Sequence, residues 1–402
     1  MNASKLVAEI KSHKIDIPAW PYFASDEVEA AKLVLESGKV NYWTGQNGRN
    51  FELEFADYCG TDHAVAVANG TLALELALRA LDIGAGDEVI VPSRTFIATA
   101  SAVMMVGATP VCADVELDSQ NISARTIRAV LSSKTRAIIP VHLAGWPCDM
   151  DSINTLANEH NLRVIEDCAQ AHGASYKGRP VGSLGDIGAF SFCQDKIITT
   201  GGEGGMLVMN DGLLWQRAWE LKDHGKNYDK ISAAGPSGAF RWQHDQFGSN
   251  YRLSEVQSAI GRVQLRKLDA WVSARRVNAN LLGEALAKCP AIRITEPGPD
   301  IQHAYYKYYA FVHPERLQPG WNRDRLIESL NDSGVPCFSG ICPEIYLEKA
   351  FQNANLSPSS RYVAAKELGE TSLMFVVHPT LQAKHMNEIC SKLSIVLSEI
   401  SS

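Results

Sequence analysis

The sequence predicts an α/β protein whose large domain holds a mostly parallel sheet flanked by helices, followed by a smaller C-terminal α+β domain. Three observations carry that expectation. From residue 51 to about residue 225, short β-rich runs alternate with helix-length segments, the pattern of crossover units around a parallel sheet. Leu253-Ser-Glu-Val-Gln257 then offers Ser254 as N-cap and Gln257 at the capping-box position, opening a long helix. With 402 residues and 46% hydrophobic content, the chain can bury a core large enough for two domains.

Taken in order, the chain begins with an arm over residues 1–24 that includes Ile17-Pro-Ala-Trp-Pro-Tyr-Phe23. The large domain is expected over 25–252. It starts with a helix at Ser25 to Glu36, acidic in its first turn, and a polar loop at Gly38 to Asn50. The strand candidates are Ala64 to Ala68, Glu88 to Pro92, Pro110 to Val115, Ala137 to His142, Arg163 to Glu166, Gly188 to Phe192 and Met206 to Met209. Helical segments lie between them at Thr71 to Leu81, Phe96 to Val106 and Met150 to Asn161. In the smaller domain, 253–402, Val256, Ala259, Ile260 and Val263 keep helical spacing. A turn at Cys289-Pro290 leads to mixed segments at Ala304 to Val312, Arg323 to Ser333, Ser360 to Leu368 and His385 to Ile400. No low-complexity linker separates the two parts, so close packing is expected.

Composition narrows the partners. A net charge of −7, without any run of five or six basic residues, offers no footprint for nucleic acid. The nine cysteines are scattered and lack Cys-x-x-Cys pairs, which points to reduced thiols, a cytoplasmic location and no metal site. The N-terminus carries charges where a signal peptide needs an apolar core, and no apolar run reaches membrane-span length.

Four stretches carry candidate chemistry. At Asn69-Gly70-Thr71 a strand ends and a helix begins, so free N–H groups can hold a phosphate, although an ordinary N-cap has the same look. Phe96 sits just inside the next helix, as a ring-stacking platform or a core aromatic. Glu166 and Asp167 follow an apolar strand, where ligands bind in open α/β sheets and where a carboxylate can pair with a protonated ring nitrogen. Gln170 lies three residues further on; the plain alternative for the acidic pair is a helix cap. In Phe190-Ser191-Phe-Cys-Gln-Asp-Lys196, followed by Gly201-Gly-Glu-Gly-Gly205, Lys196 is either a solvated surface lysine or an imine-forming one. The glycines let backbone approach a bulky group and do not match the dinucleotide fingerprint, since a β-rich run follows them.

Taken together, these spacings resemble the DegT/StrS-type sugar aminotransferases, pyridoxal-phosphate enzymes of the fold-type I class. The resemblance covers nearly the whole chain: Ser37-Gly38, Phe51 to Gly60, His63 to Thr71, Glu166 to Ala174, Ser191 to Gly205, Asp223-His-Gly225, Gly248 to Ser254 and His378-Pro-Thr-Leu381. It implies that Lys196 carries pyridoxal 5′-phosphate as an imine and shuttles the proton, with pyridoxamine 5′-phosphate as the intermediate form. Asp167 would pair with the ring nitrogen, Phe96 stack on the ring, and Gln170 lie near its 3-hydroxyl. Gly70, Thr71 and Ser191 would hold the phosphate, reached also by Asn250 from the second subunit of a homodimer. His224, Arg252 and His378 match positions on the substrate side.

The implied reaction is transamination of a nucleotide-linked 4-keto-6-deoxy hexose with L-glutamate as donor, for amino-sugar and surface polysaccharide biosynthesis. Amination at C3, a sugar not carried on a nucleotide, or a non-catalytic regulator on the same fold are the alternatives. The chain departs from the family at Cys193-Gln-Asp195, which replaces a proline-containing spacer. On an extended segment Asp195 would point away from Lys196 and need not touch the imine.

Overall fold

The computed structural model describes residues 15–232 and 242–400, so residues 1–14 of the expected arm lie outside it. Seven strands form the main sheet: β1 (His63–Val67), β2 (Glu88–Pro92), β3 (Thr109–Ala113), β4 (Thr135–Ile138), β5 (Arg163–Asp167), β8 (Ile187–Ser191) and β9 (Gly205–Met209). Each falls on a run singled out in the sequence. Their order is β1-β9-β8-β5-β4-β2-β3, and only β9 runs against its neighbours. The intervening short strands β6 (Ser175–Tyr176) and β7 (Arg179–Pro180) join β11 (Ile301–Gln302) in a separate ribbon.

Strand periodicity sorts the side chains of this sheet onto two covered faces. In β1, Val65 and Val67 enter one core while Ala64 and Ala66 enter another; Leu207 and Met209 against Met206 and Val208 divide β9 the same way. The helix Gly70–Ala80 covers the first face with Leu74, Leu76 and Leu78. Phe51 and Phe55 of the helix Asn47–Cys59 cover the second.

A second sheet, ordered β10 (Ile292–Ile294), β12 (Tyr308–Val312), β14 (Ser372–Phe375), β13 (Cys337–Phe338), is antiparallel throughout. Tyr308, Ala310 and Val312 pack with the C-terminal helix Ala383–Ile400, while Tyr309 and Phe311 join a core with Ile90, Ala113 and Ile138 of the main sheet. The two sheets therefore share packed side chains.

Two local expectations change. The long helix from Ser254 is two helices, Glu255–Leu265 and Leu268–Leu286, parted where Lys267 reaches Asp26 at 2.7 Å and Glu27 at 2.8 Å. Its capping box is present, Ser254 Oγ accepting from Gln257 N–H at 3.3 Å. The loop at Gly38 to Asn50 ends early because Glu255, far away in sequence, accepts the N–H groups of Asn47 (2.6 Å) and Gly48 (2.9 Å). A carboxylate at a helix start is favourable, so the helix opens at Asn47.

Candidate active site

Strand β5 ends in two carboxylates that the pleat sends to opposite sides. Glu166 is fully buried and accepts from the N–H groups of Gly182 (2.8 Å), Leu184 (2.7 Å) and Gly185 (2.7 Å). It also meets His142 Nε2 at 2.9 Å, while His142 Nδ1 accepts from Cys148 N–H at 3.0 Å. His142, Glu166 and Cys168 are close enough to suggest a metal, yet both ring nitrogens already have protein partners. Glu166 belongs to the scaffold.

Asp167 has a different shell. Its Oδ2 accepts from Thr99 Oγ1 at 3.0 Å and its Oδ1 from Ala169 N–H at 3.2 Å, which leaves acceptor capacity on both oxygens. Burial pushes its carboxyl above the usual range, against the opposing pull of the Ala169 N–H, the Thr99 hydroxyl and the charge of Lys196. A buried carboxylate in that condition is suited to a cationic partner. Thr99, whose hydroxyl also meets Thr95 at 3.0 Å, orients it and was not singled out in the sequence.

Lys196 lies in the turn after β8 and is mostly buried. Its backbone is fixed at both ends: its N–H donates to the Cys193 carbonyl at 3.0 Å, and its carbonyl accepts from Trp20 Nε1 at 3.1 Å. Here the expectation for Asp195 fails. The segment is a turn rather than a strand, so alternation does not apply, and Asp195 Oδ1 stands 3.7 Å from Lys196 Nζ. Tyr306, whose ring centroid is 5.0 Å from Nζ, donates its hydroxyl to Asp195 Oδ2. Trp20 and Tyr306 come from distant stretches, and no local motif marks them.

The anion-binding candidates meet across 120 residues. Asn69 caps the helix Gly70–Ala80 by accepting from Leu72 N–H at 2.9 Å, which leaves the first N–H groups, those of Gly70 and Thr71, for an outside acceptor. Gly70 lies against Ser191 so closely that a Cβ there would come within 2.5 Å of the serine Cβ. This cradle of helix N-terminus, glycine and hydroxyl fits a phosphate.

The remaining candidates divide. Phe96 is 63% exposed one turn before Thr99, its ring open for stacking. Gln170 accepts from Ala144 N–H at 2.8 Å through Oε1, so its amide NH2 is the end available to a ligand oxygen. His378 stacks on Trp20, the ring that bonds the Lys196 carbonyl, with centroids 6.1 Å apart, and burial lowers its pKa to about 3. His224 is exposed at a positive φ of 63°, and Arg252 Nη1 pairs with Asp223 at 2.7 Å. The Arg252 backbone bridges to Val67 at the end of β1, just before the Asn69-Gly70-Thr71 turn. Asn250 is exposed, its only side-chain hydrogen bond among the described residues being from Arg252 N–H at 3.4 Å.

The residues present thus fit pyridoxal phosphate: a phosphate cradle, a platform, a carboxylate for a cationic ring and a lysine, at neighbouring strand ends. The fold and this donor set define a pyridoxal-phosphate-dependent aminotransferase of the fold-type I class. More narrowly, the chain belongs to the DegT/DnrJ/EryC1/StrS aminotransferase family, whose model matches residues 21–394. It is 51% identical to an aminotransferase from Psychrobacter cryohalolentis of known structure, with a TM-score of 0.93 over 95% of this chain and 99% of that one. It is 40% identical to the GDP-perosamine synthase of Escherichia coli O157:H7 over 95% of this chain and 99% of the relative. A dTDP-3-amino-3,4,6-trideoxy-alpha-D-glucose transaminase of Streptomyces venezuelae is 36% identical over 89% of this chain and 88% of its own. The protein is a sugar aminotransferase.

Proposed function

We propose that the enzyme moves the amino group of L-glutamate to a nucleotide-linked 4-keto-6-deoxy hexose in the cytoplasm, serving amino-sugar and surface polysaccharide biosynthesis. The observation that carries the reading of the site is Asp167, a buried carboxylate with unused acceptor capacity, in electrostatic reach of Lys196. The nucleotide-linked class draws on the relatives, two of which carry GDP or dTDP in their names. Amination at C3 is the second reading, favoured by the 3-amino product in the Streptomyces venezuelae relative's name.

Bound pyridoxal phosphate supplies an electron sink for breaking a C–H bond beside nitrogen. In our reading Asp167 holds the ring nitrogen in its cationic form, and Thr99 holds Asp167. Gly70, Thr71 and Ser191 hold the phosphate, Phe96 covers the ring, and the Gln170 amide donates toward the ring oxygen. Lys196 anchors the cofactor and carries the proton. His224, Arg252 and His378 serve the substrate side. The active unit is a homodimer in which Asn250 reaches the phosphate held by the other copy. The exposure of Asn250, three residues from a wholly exposed Phe247, supports that role.

A panel of amino donors and keto sugars, read by mass spectrometry, tests the reaction. Glutamate-dependent gain of an amine on a nucleotide-linked ketone is expected; no transfer to any ketone under saturating cofactor overturns it. Sizing in solution tests the dimer, which a fully active monomer would contradict.

A further inference from the structure

Asp195, the residue that departs from its family's pattern, lies closer to the site than its place in sequence suggests. We propose that Asp195 and Tyr306 form a seat for the Lys196 amine, holding it whenever it is not bonded to the cofactor. The proposal rests on the reading of Lys196 as the cofactor-bearing lysine.

The geometry of the seat is specific. Lys196 Nζ stands 3.7 Å from Asp195 Oδ1 and 5.0 Å from the Tyr306 ring centroid, a carboxylate on one side and a π face on another. The Tyr306 hydroxyl donates to the other carboxylate oxygen and fixes its orientation. Tyr306 is itself fixed, its N–H donating to the Ala144 carbonyl at 2.8 Å and its carbonyl accepting from Arg275 Nη1 at 3.2 Å. With the lysine backbone tied to Cys193 and Trp20, only the side chain is left to travel.

The surrounding charges agree. Burial pushes the Asp195 carboxyl up, but the charge of Lys196, the Tyr306 hydroxyl and the charge of Lys307 outweigh it and hold it below the ordinary range. Burial, then the charge of Asp195, push the Tyr306 hydroxyl well above its usual range, so it remains a donor. Lys307, just before β12, and Arg275 of the helix Leu268–Leu286 feel Asp195 from the other side. Asp167 at the end of β5 and His172 in the turn after it feel Lys196, yet among the described residues the one carboxylate within 4 Å of its amine is that of Asp195.

The seat bears on donor exchange. When the donor nitrogen takes over the bond to the cofactor, the bond to Lys196 breaks, and the N–H protons that the donor ammonium gives up end on the lysine nitrogen, which leaves as an ammonium. Anything that holds the freed Lys196 as ammonium favours this exchange. Asp195 and Tyr306 are therefore positioning residues: they act on how readily the lysine yields its place.

Two readouts test the seat. In the cofactor-free protein, Lys196 of Asp195→Asn, its amine no longer paired, should react about threefold faster with an amine-acylating reagent than in the wild type, read peptide by peptide against the other lysines. Tyr306→Phe should give a smaller rise, and Asp195→Glu should restore the wild-type rate. In the holoenzyme, spectrophotometric titration of Asp195→Asn with L-glutamate should need about tenfold more donor. A Lys196 labelling rate unchanged in Asp195→Asn and Tyr306→Phe overturns the seat. Failure of the underlying reading shows separately: borohydride reduction of the holoenzyme would leave no cofactor adduct on Lys196, while the labelling of the cofactor-free protein still judges the seat.

Discussion

On one side of β5, Glu166 sits among three backbone N–H groups and a histidine; on the other, Asp167 has one hydroxyl and one N–H. The residues are adjacent, acidic and buried, so composition and burial cannot tell them apart. What separates them is how far the protein meets their demand for donors. A satisfied buried carboxylate spends itself on the scaffold, where it ties the Gly182–Gly185 turn to the sheet. An undersupplied one stores a cost that a ligand can relieve. The difference locates the site more sharply than either acid alone.

The largest test of that contrast is Asp167→Asn, which keeps the shape and removes the charge. Turnover should fall by about 10²–10³-fold with the fold retained, measured as kcat with circular dichroism as control. Wild-type turnover would mean that the charge on this side is idle. Glu166→Gln should do the reverse, costing about 3 kcal/mol in urea unfolding because it breaks a buried pair and disturbs three N–H partners. If it mainly slowed turnover at full stability, the division of roles would be mistaken.

Acid sharpens the comparison further. His172, packed against Phe190 and Phe192, has its pKa lowered to about 3 by burial and then by the charge of Lys196. A depressed histidine contributes fully above its unfolded value of 6.5 and loses that contribution as pH falls toward the folded value. Between about pH 7 and about pH 5 the cofactor-free protein should lose about 2 kcal/mol through this ring, a loss that denaturant curves of His172→Asn should lack. The smallest effect has the opposite sign. Since the Asp167 carboxyl is raised, its ionisation costs stability as pH climbs from the ordinary 3.8 through the raised value. Without cofactor at neutral pH, Asp167→Asn should therefore be more stable than the wild type, a difference in sign that calorimetry can read.

Much of the architecture was legible because apolar runs of strand length, covered on both faces, leave a direct trace in sequence. The seven strands of the main sheet are of that kind, and the Ser254 capping box was legible for another reason, the fixed spacing of its serine and glutamine. The break at Arg266 and Lys267 was not, because the pull on Lys267 comes from Asp26 and Glu27. Within the site, Lys196, Asp167, Gly70 and Ser191 stand at strand ends and could be named as candidates. Thr99, Trp20 and Tyr306 act through tertiary contacts across 68, 176 and 111 residues, which no spacing rule reaches. Asp195 escapes the pleat argument for a local reason: its segment is a turn, where strand alternation no longer holds.

The indole of Trp20 touches the carbonyl of the very residue on which the cofactor is proposed to ride. Its emission lies where a bound pyridoxal chromophore absorbs, so this tryptophan is a built-in optical gauge. Its light should dim as the cofactor loads, reporting occupancy in real time without a label, and Trp20→Phe would show how much of that signal belongs to this one ring.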